Sequence, residues 1–574
     1  MAGKNQTKFI FFFFSVLVFF SPCFALADSQ GQSRSFFVNT SYDLLDREKI
    51  SATLEKVSQN AYFYLENNWS EKLNQEEREE VVVALDSLSR EFDNNIYPKL
   101  TAAYGSEWKA GIDNDSRITI LFHQMKNEAA GYFRSEDQYF KAQSRSSNER
   151  EIIYLNIGVI TEKMAKSYIS HEFTHLITFN QKERLRGVTE DVWLNEARAE
   201  YAPTLLGYDN DYQGSNLQQR VRQFIQNPSD SLTEWQNKTS DYGVVNLFIQ
   251  YLAEHYGVET LTFSLQSSKT GISSINEALK KRGVNEDFSQ VFTDWTIAVL
   301  INDCGLSKKY CYFDSNLNKL KILPQTNFLP LSGESSLSVV NTTKDWAGNW
   351  QKIIGGKDSL KLEFKGNNNL KFKIPYLVED ANGKITIDFL QLDTEQKGTI
   401  YVSGFSTKNK SLIIVPSIQN KTSDFSDSEP SYQFSFVAST VKRTPTEEEA
   451  FIQQLLVQID FLKKEIARVQ AELDAALASK KNSVLSCKKL EKDLYFGIKD
   501  STEVRCLQQF LKNQGSEIYP EGLVTGNFLQ STQTAVIRFQ EKYASEILVP
   551  AGLEKGTGFV GPLTRQKINQ SLAG

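Results

Sequence analysis

The sequence predicts a multidomain protein of mixed class: an α+β domain, a β-sandwich, a coiled-coil helix and a small helical module. The chain has 574 residues, several times the usual length of one domain. Helical spacing of apolar residues dominates up to about residue 310, and alternating β-forming stretches follow from about residue 330. A heptad pattern starts near residue 446 and gives way to short helical segments after residue 487.

The N-terminus predicts export. Two lysines precede the apolar run at 9–20, and Ala25-Leu26-Ala27 follows as an A-x-A cleavage site, so residues 1–27 are expected to be a signal peptide. The run is short for a retained membrane span, and no later stretch is apolar enough for one. A net charge of −6 argues against broad nucleic-acid binding, which needs a basic face.

Four cysteines remain after signal cleavage, an even number in an oxidising compartment. They fall into two local pairs, Cys304 with Cys311 and Cys487 with Cys506. The other two connectivities would join regions that look like separate domains, so local disulfides are expected. Free thiols are the alternative in a reducing compartment.

Within the first domain, taken as 28–325, residues 46–68 and 75–105 show helical apolar spacing, which predicts N-terminal helices over 46–105. In the core of about 110–310, ITILFH (118–123) and EIIYLNI (151–157) are expected strands, and helices dominate from 162 to 300. Five β-forming stretches separated by Gly, Asn and Asp clusters predict a β-sandwich domain over 330–442; they are 360–366, 370–375, 399–405, 411–417 and 431–439.

Residues 446–483 are predicted to form a coiled-coil linker. A capping box at Thr446–Glu449 starts the helix. β-branched residues fill the first core position in three of the four heptads, and leucine fills the second in the first two heptads, which favours a parallel dimer. The first core positions are Ile452, Ile459, Ile466 and Leu473, and the second are Leu455, Leu462, Val469 and Ala476. A monomeric spacer helix is the alternative.

A pair of histidines indicates a metal site. The chain has only four histidines, and two of them stand in His171-Glu172-x-x-His175 on an expected helix, where positions four apart share a face. Histidines packed in a buried helix are the alternative. A catalytic zinc ion needs a third protein ligand. Glu196, in WLNEARAEYA (193–202), can supply it, and Glu200, one turn on, can hydrogen-bond a ligating histidine.

These motifs resemble those of the gluzincin metallopeptidases, the thermolysin-like group, and the text around them is similar to the hyicolysin family over residues 36–310. The resemblance implies that His171, His175 and Glu196 bind one zinc ion and that Glu172 is the general base. Gluzincins also use a Tyr or His to stabilise the oxyanion, and Tyr242 is preferred here over His255. AGYF (130–133) is a candidate edge strand for the substrate, although Ala130 stands where the family is expected to have glycine.

The C-terminal residues 487–572 resemble the small three-helix peptidoglycan-binding domain of exported bacterial hydrolases. Gly497, Gly526 with Phe528, and the helix faces around Leu507 and Phe539 carry the resemblance. Leu529 stands where a glycine is usual. A generic helical adaptor that binds another partner is the alternative.

Together these features predict a secreted, cell-wall-associated zinc metalloendopeptidase. Its expected partners are a protein or peptide substrate and peptidoglycan, with a possible homodimer through the coiled coil, no nucleic acid and no membrane span after signal cleavage. A zinc-dependent peptidoglycan hydrolase acting on stem peptides and a non-enzymatic wall-binding adhesion protein are the alternatives.

Overall fold

The computed structural model describes residues 27–126, 129–421, 425, 427–441, 487 and 489–573, with six isolated helical positions between 456 and 470. Two compact units divide the chain after Gln458. The predicted signal peptide, apart from Ala27, and the predicted linker at 446–483, apart from those six positions, lie outside the described residues and stay predictions. Within the described residues, no helix combines the length and apolar character that crossing a membrane requires.

A six-stranded mixed sheet opens the first unit. Its spatial order is β1-β2-β3-β4-β6-β5, where the strands are β1 (Ser33–Phe37), β2 (Lys49–Val57), β3 (Ala61–Glu66), β4 (Ile118–His123), β5 (Gly131–Phe133) and β6 (Ile152–Asn156). β3, β4 and β6 run parallel, and antiparallel strands flank them on both sides. The strands predicted at 118–123 and 151–157 are confirmed, and the candidate edge at 130–133 is the edge strand β5.

The helix expected over residues 46–68 is wrong, because this segment forms the hairpin β2–β3. In β2, Ile50, Ala52 and Leu54 are buried in alternation, which is the period of a strand. β3 is buried along its whole length between two neighbours, so its apolar run shows no alternation. Such a short run fits a buried helix equally well in sequence. Helix begins only at α1 (Asn67–Ser70), followed by α2 (Gln75–Glu91), a π-helical turn at Phe92–Ile96, and α3 (Tyr97–Tyr104).

The predicted helical region is confirmed and consists of seven helices: α4 (Ala165–Phe179), α5 (Val192–Leu205), α6 (Asn216–Gln226), α7 (Thr239–Tyr256), α8 (Val258–Leu265), α9 (Gly271–Lys281) and α10 (Phe288–Ile301). α4 is buried on nearly every side. It packs against β5 and β6 of the sheet and against α5. Residues on α4 are therefore held by both layers of the unit.

Two further sheets follow the helices in the chain. The four-stranded sheet has the order β14-β10-β17-β8, the five-stranded sheet β13-β12-β15-β9-β7, and a small ribbon pairs β11 with β16. Residues from both sheets, such as Leu362 and Phe436 from one and Ile353 and Leu412 from the other, share a single core. The strands are β7 (Gln325–Leu329), β8 (Ser336–Thr343), β9 (Gln351–Gly355), β10 (Ser359–Lys365), β11 (Phe372–Lys373), β12 (Pro375–Asp380), β13 (Ile385–Phe389), β14 (Lys397–Val402), β15 (Asn409–Ile414), β16 (Ser417–Ile418) and β17 (Tyr432–Val441).

The two sheets are joined to the helices by two buried tryptophans. The ring of Trp346 packs edge-on against Phe288 and Phe292 of α10. The indole N–H of Trp350 donates to the Thr296 carbonyl at 2.9 Å. Trp346 and Trp350 thus belong to the core of the helical region, which continues into the sheets without a break.

Both predicted disulfides, Cys304–Cys311 and Cys487–Cys506, are present. The first closes the turn after α10. The second belongs to the second unit, whose helices are α11 (Thr502–Asn513), α12 (Gln530–Lys542), α13 (Ala544–Ile547) and α14 (Pro562–Ala573). One small core, which includes Leu507, Phe528 and Phe539, holds this unit together.

The second unit contains an internal duplication built on two buried glutamines. The Gln508 amide donates to the Asn527 carbonyl and the Thr532 hydroxyl, and its carbonyl oxygen accepts from the N–H groups of Thr525 and Gly526. The second glutamine repeats the four bonds at the same spacing. This glutamine is Gln540. Its amide donates to the Phe559 carbonyl and the Thr564 hydroxyl, and its carbonyl oxygen accepts from the N–H groups of Thr557 and Gly558.

Gln508→Ala is expected to lower the free energy of unfolding of this unit by about 3 kcal/mol, because two backbone N–H groups lose their buried acceptor. Scanning calorimetry should show the transition of this unit at lower temperature. All seven tryptophans lie before residue 351, so the tryptophan-fluorescence transition should stay in place. Gln509→Ala, at the exposed neighbouring position, is the matched control. An equal effect of the two substitutions would contradict the role of the glutamine.

Candidate metal centre

The two motif histidines meet on the inner face of α4. His171 and His175 lie one turn apart, and their Nε2 atoms are 3.1 Å from each other. The helix around them is apolar and fixed against the sheet and α5. Both rings therefore direct a nitrogen towards the same point.

Glu196 reaches that point from α5. Its Oε2 lies 3.3 Å from His171 Nε2, and its Oε1 lies 3.6 Å from His175 Nε2. Glu196 Oε2 is buried and has no hydrogen-bond partner in the described part of the chain. The side chains of His171, His175 and Glu196 keep 15, 8 and 15% of their surface exposed, so one side of the group faces solvent.

These three donors fit a zinc ion. Tetrahedral zinc with bonds of about 2.0–2.1 Å holds its ligand atoms about 3.3 Å apart. The observed separations of 3.1, 3.3 and 3.6 Å bracket that value. Two imidazoles and one carboxylate form a donor set that catalytic zinc uses, with a further position left open.

The far nitrogen of each histidine is held by a second residue of α5. His171 Nδ1 lies 3.3 Å from Glu200 Oε1, and His175 Nδ1 lies 3.1 Å from Asn195 Oδ1. Such contacts fix the ring orientation and leave Nε2 for the metal. Glu200 stands where the sequence placed it. Asn195 was read only as part of the motif, although its position next to Glu196 was a signal for this contact.

Glu200 is itself fixed by groups from two other helices. Arg220 of α6 forms two charge-assisted hydrogen bonds to it, each 2.7 Å long. Asn216 of α6 and Asn246 of α7 donate to the same carboxylate at 3.0 and 3.3 Å. Burial raises the pKa of Glu200, but Arg220 and His171 outweigh it, and the net pKa lies below the usual range. Glu200 therefore stays ionised. The sequence alone did not identify Arg220, Asn216 or Asn246.

Glu172 lies between the metal group and the sheet edge. Burial, with Glu196 and Glu200 adding to it and His171 opposing it, raises the pKa of Glu172 to about 8. Its Cγ is so close to Gly131 of β5 that a Cβ at that glycine would stand 3.0 Å from it. The absence of a side chain at Gly131 therefore lets the edge strand approach Glu172.

Two tyrosines lie near these carboxylates. Burial and the charges of Glu196 and Glu200 raise the pKa of Tyr242, the predicted oxyanion stabiliser. Its hydroxyl donates to Asn237 Oδ1 at 2.8 Å, and the Arg220 guanidinium lies 4.6 Å from its ring centre. Burial, Glu172 and Glu196 raise the pKa of Tyr42, which sequence reasoning missed.

The other two histidines lie elsewhere. His255 is held by the Cys311 carbonyl at 2.9 Å, between the rings of Tyr251 and Phe313. His123 is fully buried beside Asp43. His255 is thus engaged in packing, and the choice of Tyr242 as oxyanion stabiliser stays a prediction.

Comparison with known proteins gives a partial match. No protein-family model matches the chain. The neutral metalloprotease ShpI of Staphylococcus hyicus is 27% identical over 191 residues, which cover 29% of this chain and 41% of that protein. The chain therefore matches less than half the length of this relative.

Two solved structures give only weak likeness. The M60 catalytic domain of Clostridium perfringens ZmpB with its two CBM51 domains is 9% identical, covers 67% of this chain and 59% of that one, and has a TM-score of 0.20. Aeromonas hydrophila PliG, a periplasmic inhibitor of g-type lysozyme, is 14% identical, covers 20% of this chain and 98% of that one, and has a TM-score of 0.14. Similarity in sequence is thus to a metalloprotease, over part of the chain.

Asn195→Ala is expected to weaken zinc binding by roughly 10- to 100-fold, because His175 loses the acceptor that orients its ring. Competition with a zinc chelator of known affinity measures the change. Asn195→Asp, which keeps an acceptor oxygen at that position, should retain tight binding. Wild-type affinity in the alanine variant would contradict the role of Asn195.

Proposed function

We propose that this protein is a secreted, cell-wall-associated zinc metalloendopeptidase. The observation that carries the proposal is the convergence of His171 Nε2, His175 Nε2 and Glu196 on one point, at the separations of a zinc ligand set. The partial similarity to a neutral metalloprotease supports it. Both disulfides suit an oxidising compartment.

His171, His175 and Glu196 would hold the ion, and Glu200 and Asn195 would orient the two rings. A bound zinc ion supplies Lewis acidity, which activates water and polarises the scissile carbonyl. Glu172 takes the proton of the attacking water and passes it to the leaving amine.

The edge strand β5 provides a place for the substrate backbone. Among the described residues it pairs with β6 on one side only, and it so presents N–H and C=O groups without a strand partner on the other. An extended peptide can add to such an edge as a further strand. Because Gly131 lies against Glu172, a peptide bound there passes next to the general base. This geometry favours cleavage within a chain over removal of a terminal residue.

Attachment to the wall is assigned to the second unit. Its surface exposes Tyr495, Phe496 and Phe559, and the rings of Tyr495 and Phe559 are stacked at 6.4 Å. Exposed aromatic rings suit the apolar faces of sugars. In the sequence, the sheets of 330–442 and the linker of 446–483 come between the peptidase domain of 28–325 and this unit, and pairing of the linker would give a homodimer.

Replacing the base tests the enzymatic proposal. Glu172→Ala is expected to lower kcat on casein by about 10²- to 10⁴-fold, because proton transfer loses its carboxylate. Zinc content should remain one ion per chain, since Glu172 is not among the ligands. Chelation should abolish activity, and added zinc should restore it. Unchanged casein cleavage in the variant would overturn the assignment of the base.

Incubation of the wild-type protein with casein and, in parallel, with purified peptidoglycan distinguishes the alternative functions. Casein cleavage without release of wall fragments supports the proposal. Release of stem peptides without casein cleavage would favour a peptidoglycan hydrolase. Activity on neither substrate would favour a non-enzymatic adhesion protein.

Tyr242→Phe is expected to lower kcat by about 10²-fold with little change in KM, because a hydrogen-bond donor to the oxyanion acts mainly in the transition state. Tyr42→Phe is the matched comparison, since Tyr42 lies near the same carboxylates. Its kcat is expected to change by only a few-fold. A larger loss in Tyr42→Phe than in Tyr242→Phe would transfer the role to Tyr42.

Wall binding is tested by sedimentation with insoluble peptidoglycan. The Glu172→Ala protein is expected to pellet with it, and the variant Tyr495→Ala with Phe559→Ala should remain mostly in the supernatant. Both rings are at least 40% exposed, so their loss leaves the core of the unit intact. Equal pelleting of both proteins would contradict the aromatic surface as the binding site.

A further inference from the structure

A second group of acidic side chains lies between α6 and the first turn of α7. Asp230, Glu234 and Asp241 are 7, 2 and 1% exposed. Each offers one carboxylate oxygen, and these atoms lie within 4.8 Å of one another. None of the three residues belongs to the zinc group.

Two of the carboxylates have one oxygen engaged and the other free. Asp230 Oδ1 accepts from the Ser231 N–H at 3.2 Å, and Asp241 Oδ2 accepts from the N–H groups of Gln236 and Lys238 at 2.8 and 2.9 Å. The opposite atoms, Asp230 Oδ2 and Asp241 Oδ1, are buried, and within the described residues neither receives a hydrogen bond from an N–H or hydroxyl group. Leaving such atoms unpaired is costly, so they call for a ligand.

The local charge is unbalanced. Lys344 forms an ion pair with Glu234, and its Nζ lies 3.9 Å from Asp230 Oδ1. It is the one cation that the described residues bring within ion-pair distance of the three carboxylates. Three negative charges therefore face one positive charge. Burial first, and then the charge of Asp230 and its hydrogen bonds to them, raise the pKa of both Glu234 and Asp241.

We propose that Asp230, Glu234 and Asp241 bind a calcium ion. Carboxylate oxygens without histidine or cysteine are the donors of a hard cation, and calcium accepts several carboxylates in irregular geometry. One divalent ion would neutralise the remaining charge of the group. Magnesium demands near-ideal octahedral geometry and keeps several waters, so three buried carboxylates suit it less.

The proposed ion would fasten the segment after α6 to the first turn of α7, next to a set of hydrogen bonds that reach the loops of the later sheets. Next to the site, the Ser231 hydroxyl donates to the Asp345 carbonyl at 2.6 Å and the Leu232 N–H donates to the Trp346 carbonyl at 2.9 Å. The N–H of Glu429, in the loop before β17, donates to Glu234 at 3.1 Å. Asp241 stands directly before Tyr242 at the start of α7. Calcium would thus hold the start of α7 against the segment that contacts the loops of the sheets.

Equilibrium dialysis of the full chain with radioactive calcium, at a fixed buffered zinc concentration, is the direct test. We expect one calcium ion per chain in the wild type, and the same stoichiometry in His175→Ala, whose zinc site is impaired. Saturating calcium should raise the Tm followed by tryptophan fluorescence by roughly 5 °C. An equal concentration of magnesium should raise it less. Absence of bound calcium in the wild type would overturn the proposal.

Two variants locate the ion. Asp230→Asn with Asp241→Asn should lose calcium binding and the calcium-dependent rise in Tm, while Glu76→Gln with Glu80→Gln, an exposed pair on α2, should keep both.

Lys344→Gln should bind calcium several-fold more tightly, because the competing ammonium is gone. Calcium affinity unaltered by all of these changes would place the ion elsewhere and overturn the proposal. A double variant that is more stable than the wild type, with calcium inert in both proteins, would show that the carboxyl groups share a proton instead.

Discussion

The candidate site depends on the buried ion pair between Glu200 and Arg220. The pair joins α5 to α6, and Asn246 of α7 donates a hydrogen bond to the same carboxylate. The Nδ1 atom of His171 also contacts this carboxylate. Removing one partner of such a pair costs about 3–5 kcal/mol, because it leaves a buried charge alone. The pair is therefore both a structural requirement for three helices and the support of one metal ligand. Arg220 also lies over the Tyr242 ring, so the same cation reaches the predicted oxyanion stabiliser.

How much of the site is readable in sequence depends on whether its residues share a helix. His171 with His175, and Glu196 with Glu200, are one-turn pairs, so helical spacing alone placed each pair on one face. The two pairs meet only because α4 packs on α5. Helical spacing does not predict this packing, and the resemblance to gluzincins implies that the two pairs form one site. Residues such as Arg220 and Asn246 come from other elements and carry no local signal. Their part in the site exists only in the folded chain.

Complete burial removes the alternation that marks a strand, as in β3, although the β-forming residues of the fully buried β4 still predict a strand. The helices after residue 162 show helical apolar spacing, whereas β3 is apolar throughout, so the helix expected over 46–68 is wrong. The duplication in the second unit is not predicted from the sequence for a different reason. Its repeated residues are a polar set, Gln508 and Gln540 with their threonines and glycines, and patterns of apolar residues do not detect it. The calcium proposal has the same origin, because buried carboxylates look like surface residues in sequence.

The disulfide Cys487–Cys506 sets the path that mechanical load takes through the second unit. Cys487 precedes the loop at 489–501, and Cys506 lies in the middle of α11, whose apolar face fills the core. A pull on the preceding chain therefore reaches α11 through a covalent bond and bypasses the loop at 489–501. That loop cannot be peeled away first. Under such a pull, the second unit unfolds only when α11 separates from α12, which opens the core that the two helices share.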